Sequence, residues 1–316
     1  MSSEQQPPPT FPRGWYTLGF SEEVKPGESL DMRCFDRPVA LSRDDGGTLT
    51  LGYPSGDAVP WPLVEQSGLI LAFYDEQGRE PEFHVPEIEQ WSEDEWAPWV
   101  WQSVVIKTQG REVIENVADL AHFLPVHGAA VEEMKVTLDG FKATQATVAG
   151  GFGEIGQPIF FKTTATYHGP GIQFSAMDGG VIPSVLVNTH VPVDQHSIKL
   201  SFGVMIPMQG NLDATKQIGD LWIKEVSDGY FQDVAIWEHK RWRDKPMLCD
   251  GDGPIAALRK WYRQFTTEDV QNTDLLWTWD PNDKQIAQIE ASRREREEVV
   301  ARRNARRAAR KAAQNA

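Results

Sequence analysis

Apolar residues in the first quarter of the chain occur in short runs, each about as long as a β-strand. These runs are separated by turn-forming Asp, Gly and Pro residues. They lie at residues 15–20, 38–42, 48–53 and 68–74. The pattern predicts a small β module of roughly 70 residues, a size at which a single core is only marginally stable.

A helical pattern follows a Trp-rich connector at residues 86–103. Apolar side chains recur at helical spacing over residues 108–123, and His122 and His127 lie at the end of this segment. Side chains that face each other on a straight helix lie three or four positions apart, so two histidines five positions apart would not converge well on one. Pro125 between the two histidines predicts a kink that lets them converge.

The second half of the chain predicts an antiparallel sheet followed by a long amphipathic helix. Strand-length segments lie at residues 141–148, 159–167, 172–177, 184–193 and 197–205. The long helix is predicted over residues 213–240, with buried positions Ile218, Leu221, Trp222, Val226, Val234 and Trp237. A shorter helix is expected at residues 254–265. This order of elements predicts an α+β fold in which a curved sheet and a long helix enclose an apolar cavity.

The charge of the chain is unevenly distributed. The net charge is −15, but residues 284–316 carry ten Lys or Arg and four Glu, so the rest of the chain carries −21. This basic segment predicts a helical tail, solvated or docked on a partner. A nucleic-acid-binding arm is the alternative, which the absence of aromatic residues disfavours. The acidic remainder also argues against nucleic acid as the main partner.

The remaining composition narrows the class of protein further. There is no run of about 18 apolar residues, so no membrane span is expected. The first 12 residues lack a basic and an apolar stretch, so we expect a disordered leader and a cytoplasmic location. Cys34 and Cys249 are the only cysteines. They supply neither a Cys₄ iron–sulfur site nor the paired Cys and His ligands of a Rieske centre, and are expected to be free thiols.

The two histidines become chemically informative together with Asp233, which lies on the predicted long helix. Two His and one carboxylate, with coordination positions left open, form the ligand set of non-haem Fe(II) oxygenases. Such an enzyme activates dioxygen and needs electrons, which this chain has no visible means of carrying.

With these residues in view, the chain resembles the Rieske non-haem iron oxygenases, and among them the 3-ketosteroid 9α-hydroxylase group. The N-x-x-D-x-x-H-x-x-x-x-H signature of the family is matched by Asn116, Asp119, His122 and His127. Residues 229–240 resemble the third-ligand helix, with Asp233 at the ligand position. Segments 188–193 and 258–265 also resemble that group. The likeness spans residues 96–268 and is weaker over residues 13–85.

The resemblance implies a helix-grip, START-like catalytic domain at residues 96–282 that holds mononuclear Fe(II), and a Rieske-like β domain at residues 13–95. It implies that Asp119 bridges to a cluster by accepting hydrogen bonds from His122 and from a cluster histidine opposite. Asn116 either orients a ligand or makes a simple structural hydrogen bond. The implied activity is hydroxylation of a steroid or similar hydrophobic substrate with O₂. Residues expected to line its pocket are Tyr167, Phe174, Met177, Asn188 and Phe202.

One departure from the family decides the expected assembly. The segment between Leu51 and Trp61 is too short for the missing cluster loops, so the β domain is expected to be vestigial and to hold no [2Fe–2S] cluster. A Rieske-bearing partner subunit, in an α₃β₃ hexamer for example, would then supply electrons received from a ferredoxin or flavin reductase.

Other readings stay open at this stage. Each candidate residue also has a structural interpretation: a histidine pair bonded only to backbone groups, a capping or solvated Asp233, and an Asp119 that is an ordinary surface residue. The rival functions are a non-catalytic partner subunit and a helix-grip lipid carrier. The same iron site also supports demethylation or desaturation. The remaining histidines are expected to be structural or exposed; they are His84, His168, His190, His196 and His239.

Overall fold

The computed structural model describes residues 11–92, 94–152, 158–179, 182–249, 251–266 and 275–314. Its first six strands are β1 (Gly14–Phe20), β2 (Ser29–Cys34), β3 (Arg37–Arg43), β4 (Leu49–Gly52), β5 (Leu63–Gln66) and β6 (Leu69–Tyr74). They form two three-stranded antiparallel sheets, ordered β1-β6-β5 and β2-β3-β4. The four predicted strands are present, whereas β2 and β5 were not predicted because their alternating polar residues leave only short apolar signals.

Aromatic packing closes the small β module. The rings of Phe35 and Tyr74 stack with centroids 3.9 Å apart, and Tyr16 and Trp61 meet the Phe35 ring edge-on. Phe35 and Asp36 both have positive φ angles, as the two central residues of a tight hairpin between β2 and β3 require. This turn places the Phe35 ring in the core of the module.

An eight-stranded antiparallel sheet forms the larger part of the chain. Its strands are β7 (Val100–Ile106), β8 (Ala130–Asp139), β9 (Lys142–Phe152), β10 (Pro158–His168), β11 (Ile172–Gly179), β12 (Ser184–Pro192), β13 (Ile198–Met205) and β14 (Leu276–Trp279). The order is β14-β8-β9-β10-β11-β12-β13-β7. The five predicted strands are confirmed. The sequence did not reveal β7, β8 or β14, and β7 and β14 pair with strands far away along the chain.

The helices are α1 (Gly110–Ile114), α2 (Phe123–His127), α3 (Leu212–His239), α4 (Ile255–Tyr262) and α5 (Asp283–Gln314). The prediction of one helix over residues 108–123 is wrong, because α1 passes into a 3₁₀ turn at Glu115–Val117 and the chain then turns before α2. The predicted kink at Pro125 is also wrong. Pro125 lies in the first turn of α2, where its missing N–H has no helical acceptor to lose.

Helix α3 packs across β7 and β13. The side chain of Asn211 caps its N-terminus by accepting a hydrogen bond from the Ala214 N–H at 2.9 Å. Trp237 is buried as predicted, but Leu221 is 72 % exposed and its predicted burial is wrong. Ile223, two residues later, is buried instead. Positions two apart on a helix lie nearly opposite each other, so only one of the two can face the sheet.

The strand register places five side chains in one row across the face of the sheet that packs against α3. The row is Gln102, Phe202, Asn188, Gln173 and Tyr167, each directly opposite the next. Four of the five are amide or phenol side chains, although every member of the row except the half-buried Gln102 is buried. Polar groups in such a place need partners from each other, from α3 or from a ligand.

The start of helix α5 is anchored to the sheet, whereas residues 301–306 are exposed. Ile289 joins the core cluster that contains Met134 and Val136 of β8, and Arg296 pairs with Glu132 at 2.6 Å. The predicted helical tail is therefore present over Asp283–Gln314. Within the described ranges, no helix has the length and apolar character needed to cross a membrane. Most of the predicted leader lies outside the described residues, and the domain boundaries stay a prediction.

Candidate metal centre

The two histidines of the signature meet a carboxylate from α3. His122 is the N-cap residue of α2 and His127 its last residue, so a single helical turn brings their rings to a centroid separation of 5.2 Å. Asp233 enters from the facing side of α3, where its carboxylate Oδ2 lies 3.3 Å from Nε2 of His127. One donor atom from each of these three residues lies within 4.8 Å of the other two.

Hydrogen bonds fix the orientation of both imidazoles. Nδ1 of His122 lies 2.7 Å from the main-chain carbonyl of Asp119, and Nδ1 of His127 lies 3.0 Å from Oε1 of Gln232. With Nδ1 donating a hydrogen bond to these oxygens, each ring presents Nε2 as the atom that can bind a metal. Metal-bound histidines are commonly held in this way by an acceptor behind the ring.

The electrostatics of the centre favour a cation. The Asp233 side chain is only 5 % exposed, and a buried carboxylate requires a compensating charge. Burial lowers the pKa of His127, but the Asp233 carboxylate and the hydrogen bond to Gln232 together raise it by more, so the net pKa lies above its ordinary value. Two imidazole nitrogens and one carboxylate oxygen form a donor set that fits a ferrous ion.

Asp119 supports the turn that carries the first histidine. Its Oδ1 accepts hydrogen bonds from the backbone N–H groups of Ala121 at 3.0 Å and of His122 at 3.3 Å. Burial raises the pKa of Asp119, but the nearby His122 imidazole and the backbone N–H groups of His122 and Ala121 together outweigh it and hold the pKa below its usual value. The expected bond from the His122 ring goes to the main-chain carbonyl instead, because Oδ1 lies 3.8 Å from Nδ1. The Asp119 side chain is 36 % exposed and reaches the surface.

Asn116 joins the signature segment to α3. Its Oδ1 accepts a hydrogen bond of 3.4 Å from Nε1 of Trp237, and its carbonyl accepts one of 3.2 Å from Nε2 of Gln145. Of the two roles considered for this residue, a structural hydrogen bond is the one that these contacts describe.

The residues predicted to line a substrate pocket fall on two faces of the sheet. Tyr167, Asn188 and Phe202 lie in the row beneath α3, and Met177 packs with the cluster against that helix. Phe174 lies on the opposite face, where it packs with the cluster of Trp15 and Phe20. Side chains alternate between faces along a strand, so Phe174 and Met177 cannot share one.

Tyr230 and Gln173 belong to this interior and were not predicted. Nδ2 of Asn188 donates to Oε1 of Gln173 at 2.7 Å and to the hydroxyl of Tyr230, while Oδ1 of Asn188 has no hydrogen-bond partner among the residues that the structure describes. The Tyr230 ring also packs on Phe202 with centroids 4.7 Å apart. Tyr230 precedes Asp233 by three positions, a spacing that places both on one helical face. That spacing is the signal by which the sequence could have revealed Tyr230.

A pocket of about 510 Å³ lies elsewhere in the protein, between β8, β9 and the start of α5. Met134, Thr147, Ile286 and Ile289 contribute to its wall. None of the five predicted pocket residues lines it, so it is separate from the row beneath α3.

The two cysteines do not fit an iron–sulfur cluster. Cys34 is buried at the end of β2, where burial raises the pKa of its thiol to about 12, and Cys249 is exposed. Metal-binding cysteines act as thiolates, which such a pKa opposes. The loop after β4 is also short, because Gly52 and Ala58 already form a bridge across it.

The antiparallel sheet, the helix packed across it and the centre of two histidines and one aspartate define a catalytic domain of the Rieske oxygenase type. Solved structures with this fold include dicamba monooxygenase bound to 3,6-dichlorosalicylic acid, with a TM-score of 0.62, 14 % identity and coverage of 81 % of this chain and 98 % of that chain. NdmA of Pseudomonas putida CBB5 gives a TM-score of 0.59 at 13 % identity, covering 85 % and 96 %.

The chain belongs to the family described as 3-ketosteroid 9alpha-hydroxylase C-terminal domain, which matches residues 72–266. It is 28 % identical to the oxygenase component of a 3-ketosteroid-9-alpha-monooxygenase from Rhodococcus rhodochrous, over 83 % of this chain and 82 % of that protein. The counterpart from Mycolicibacterium smegmatis is 27 % identical, covering 82 % and 83 %. The cholesterol 7-desaturase of Caenorhabditis elegans is 23 % identical, covering 83 % and 78 %. The chain is thus an oxidoreductase, a non-haem iron monooxygenase subunit.

Proposed function

We propose that this chain is the iron-bearing catalytic subunit of a hetero-oligomeric oxygenase that hydroxylates a steroid or similar hydrophobic substrate. The observation that carries the proposal is the convergence of donor atoms from His122, His127 and Asp233 within 4.8 Å. The relatives named as 3-ketosteroid monooxygenase components support the substrate class.

The protein's own groups have separate tasks in this proposal. Nε2 of His122, Nε2 of His127 and the Asp233 carboxylate hold the metal, while the Asp119 carbonyl and Gln232 keep the two rings in orientation. Bound there, Fe(II) supplies the activation of dioxygen. The interior beneath α3 positions the substrate and excludes water, so that oxidising equivalents reach the substrate and not solvent.

The proposal assigns the supply of electrons to a partner. The cysteines of this chain do not fit a cluster, so a Rieske-bearing subunit delivers electrons that it receives from a ferredoxin or flavin reductase. Asp119 is the bridge, because it caps the turn that carries His122 and its side chain also reaches the surface. An alternating α₃β₃ ring would place such a partner beside each iron, and the β module at residues 13–95 is then a vestigial Rieske domain.

The substrate is expected to be apolar with at least one hydrogen-bonding group. Phe202 and Tyr230 offer ring surfaces, and the free Oδ1 of Asn188 accepts a hydrogen bond from a hydroxyl group. A buried carbonyl oxygen without a partner costs about 1–3 kcal/mol, which a bound donor would recover. A steroid combines such a group with a rigid apolar skeleton.

Purification of the native assembly from its host tests this function. We expect iron bound at His122, His127 and Asp233, a co-purifying subunit with acid-labile sulfide, and hydroxylated product from a 3-ketosteroid with O₂ and a reductase. The same chain expressed alone should bind iron without sulfide. A native assembly without a sulfide-containing subunit would contradict the proposed electron supply, and a chain that binds no iron would leave only a ligand-binding role.

A further inference from the structure

A cluster of buried ion pairs lies beside the metal centre and has no part in the function proposed above. Glu115, in the 3₁₀ turn after α1, and Glu112 of α1 are each only 5 % exposed. The Glu115 carboxylate accepts hydrogen bonds from Nζ of Lys240 and Nε of Arg259. Lys240 also lies 3.1 Å from Glu112.

Trp242 extends the same cluster. The guanidinium carbons of Arg111 and Arg259 lie 4.2 Å and 3.9 Å from the centre of its ring, so the indole has two cationic neighbours. Arg259 also donates to the carbonyl of Arg243. The side chains involved come from α1, the 3₁₀ turn, the residues that end and follow α3, and α4.

These pairs join the two segments that supply the metal ligands. Glu115 immediately precedes the signature that begins at Asn116, and Lys240 is the C-cap residue of α3, which carries Asp233. Two further hydrogen bonds connect the residues before α1 with the end of α3: the Thr108 hydroxyl donates to the Trp237 carbonyl at 3.2 Å, and the Lys107 N–H donates to Glu238 at 3.0 Å.

Buried ion pairs contribute little net stability, because desolvation offsets their attraction, but they restrict the arrangements that the surrounding chain can adopt. A metal site needs its ligands held to within about 0.5 Å. His127 and Asp233 lie on separate helices, so their distance depends on how the end of α3 is seated on the signature segment.

We infer that Glu115 is a positioning residue for the metal centre: paired with Lys240 and Arg259, it sets the position of α3 so that Asp233 meets the two histidines. The inference rests on the proposed iron site. It extends that site to residues that touch neither the metal nor the substrate.

Cobalt(II) binding to the full-length apo chain tests this role, because the visible spectrum of the ion reports both affinity and ligand geometry. Glu115→Gln keeps the size of the side chain and removes its charge. We expect its Co(II) affinity to fall at least about tenfold, the scale on which residues behind metal ligands act, with altered absorption bands. Glu115→Asp keeps the charge and should restore part of the affinity.

Glu65→Gln is the matched control, because Glu65 pairs with Arg43 through two contacts of 2.7 and 2.9 Å in the N-terminal sheets. It should bind Co(II) like the unaltered chain. If Glu115→Gln does not fold, Lys240→Met leaves Glu115 paired with Arg259 and should weaken Co(II) binding in the same direction.

Two results would overturn the positioning role: Co(II) binding by Glu115→Gln equal to that of the unaltered chain, or an equal loss in Glu65→Gln. The Asp233→Ala variant separates this failure from failure of the metal site itself. If the unaltered chain binds Co(II) no better than Asp233→Ala, the iron site is absent and the inference falls with it.

Discussion

Oδ2 of Asp233 lies 3.3 Å from Nε2 of His127, although the two residues belong to different helices. Both side chains are largely buried. A cation bound between them would take one lone pair from the imidazole and one from the carboxylate, so this contact places the two ligand atoms of different helices together.

Asp233→Ala is expected to abolish iron loading, because it removes the only carboxylate of the donor set. Asp228→Ala is the matched control on the same helix, since Asp228 is exposed and pairs with the exposed Lys224. Iron per chain, measured after anaerobic reconstitution, should be close to zero for Asp233→Ala and unchanged for Asp228→Ala. Stoichiometric iron in Asp233→Ala would exclude this residue as a ligand.

Asp119→Asn should retain iron and lose turnover. An asparagine oxygen can still accept the N–H groups of Ala121 and His122, so the turn persists while the charge is lost. Asp119→Ala should also keep iron, at a stability cost of about 1 kcal/mol for the lost cap. Single-turnover kinetics with the reduced partner measure the effect. Unimpaired electron transfer in both variants would remove the bridge role.

Tyr230→Phe removes the hydroxyl that accepts a hydrogen bond from Asn188. The loss leaves an amide proton of Asn188 without that acceptor and changes the hydrogen bonds that Asn188 can offer to a substrate. A lost neutral hydrogen bond is worth about 0.5–1.5 kcal/mol, so KM for a hydroxylated steroid should change by up to about tenfold. Iron content should not change. Steady-state kinetics on steroids with and without the hydroxyl group would show whether the change depends on it.

Gly253→Ala should disturb the metal-binding segment from outside. A Cβ atom at Gly253 would lie 1.9 Å from the carbonyl oxygen of Ala118, which forces the turn before Asp119 to move. We expect a loss of about 1–3 kcal/mol in unfolding free energy, typical of overpacking, together with weaker metal binding.

Gly229→Ala serves as the control for this substitution. Gly229 lies in α3 and a Cβ there meets no atom within 4 Å, so alanine should be neutral or stabilise the helix by up to about 1 kcal/mol. Thermal unfolding and metal titration of the two variants should therefore diverge. If the two variants unfold at the same temperature and bind metal equally well, the turn before Asp119 tolerates the displacement.

Two buried histidines predict acid sensitivity. Burial lowers the pKa of His190 and of His168 to about 4 each. An unfolded imidazole titrates near 6.5, so the unfolded chain binds more protons between pH 6.5 and 4, and stability falls as pH falls through that range. Each residue contributes on the order of 3 kcal/mol to this loss.

Chemical denaturation of the apo chain at pH 7.5 and 5 measures that loss. His190→Leu removes one of the two imidazoles, so its stability should fall less over this range than that of the unaltered chain. An identical fall in both proteins would show that His190 is not buried neutral in the native state.

The sequence by itself determined most of the regular elements. The strands of the central meander follow from local periodicity, because each pairs with a strand close in the chain. Helices α3 and α5 follow from their own composition and periodicity, although they pack on the distant strands β7 and β8. The spacing of Asn116, Asp119, His122 and His127 predicts the metal-binding segment, and the small number of cysteines predicts that the chain holds no cluster. These are properties of composition and short-range order.

Only the tertiary structure decided what lies between those elements. The break between α1 and α2, the exposure of Leu221 and the position of Phe174 on the sheet face opposite α3 depend on which surface each segment meets. The pairing of Glu115 with Lys240 and Arg259, and the seating of Tyr230 on Asn188, join residues far apart along the chain. Periodicity specifies which side of a helix or strand is apolar. Packing sets where that apolar side lies relative to charged residues far along the chain. Close contacts between elements fix their relative positions, which local periodicity does not specify.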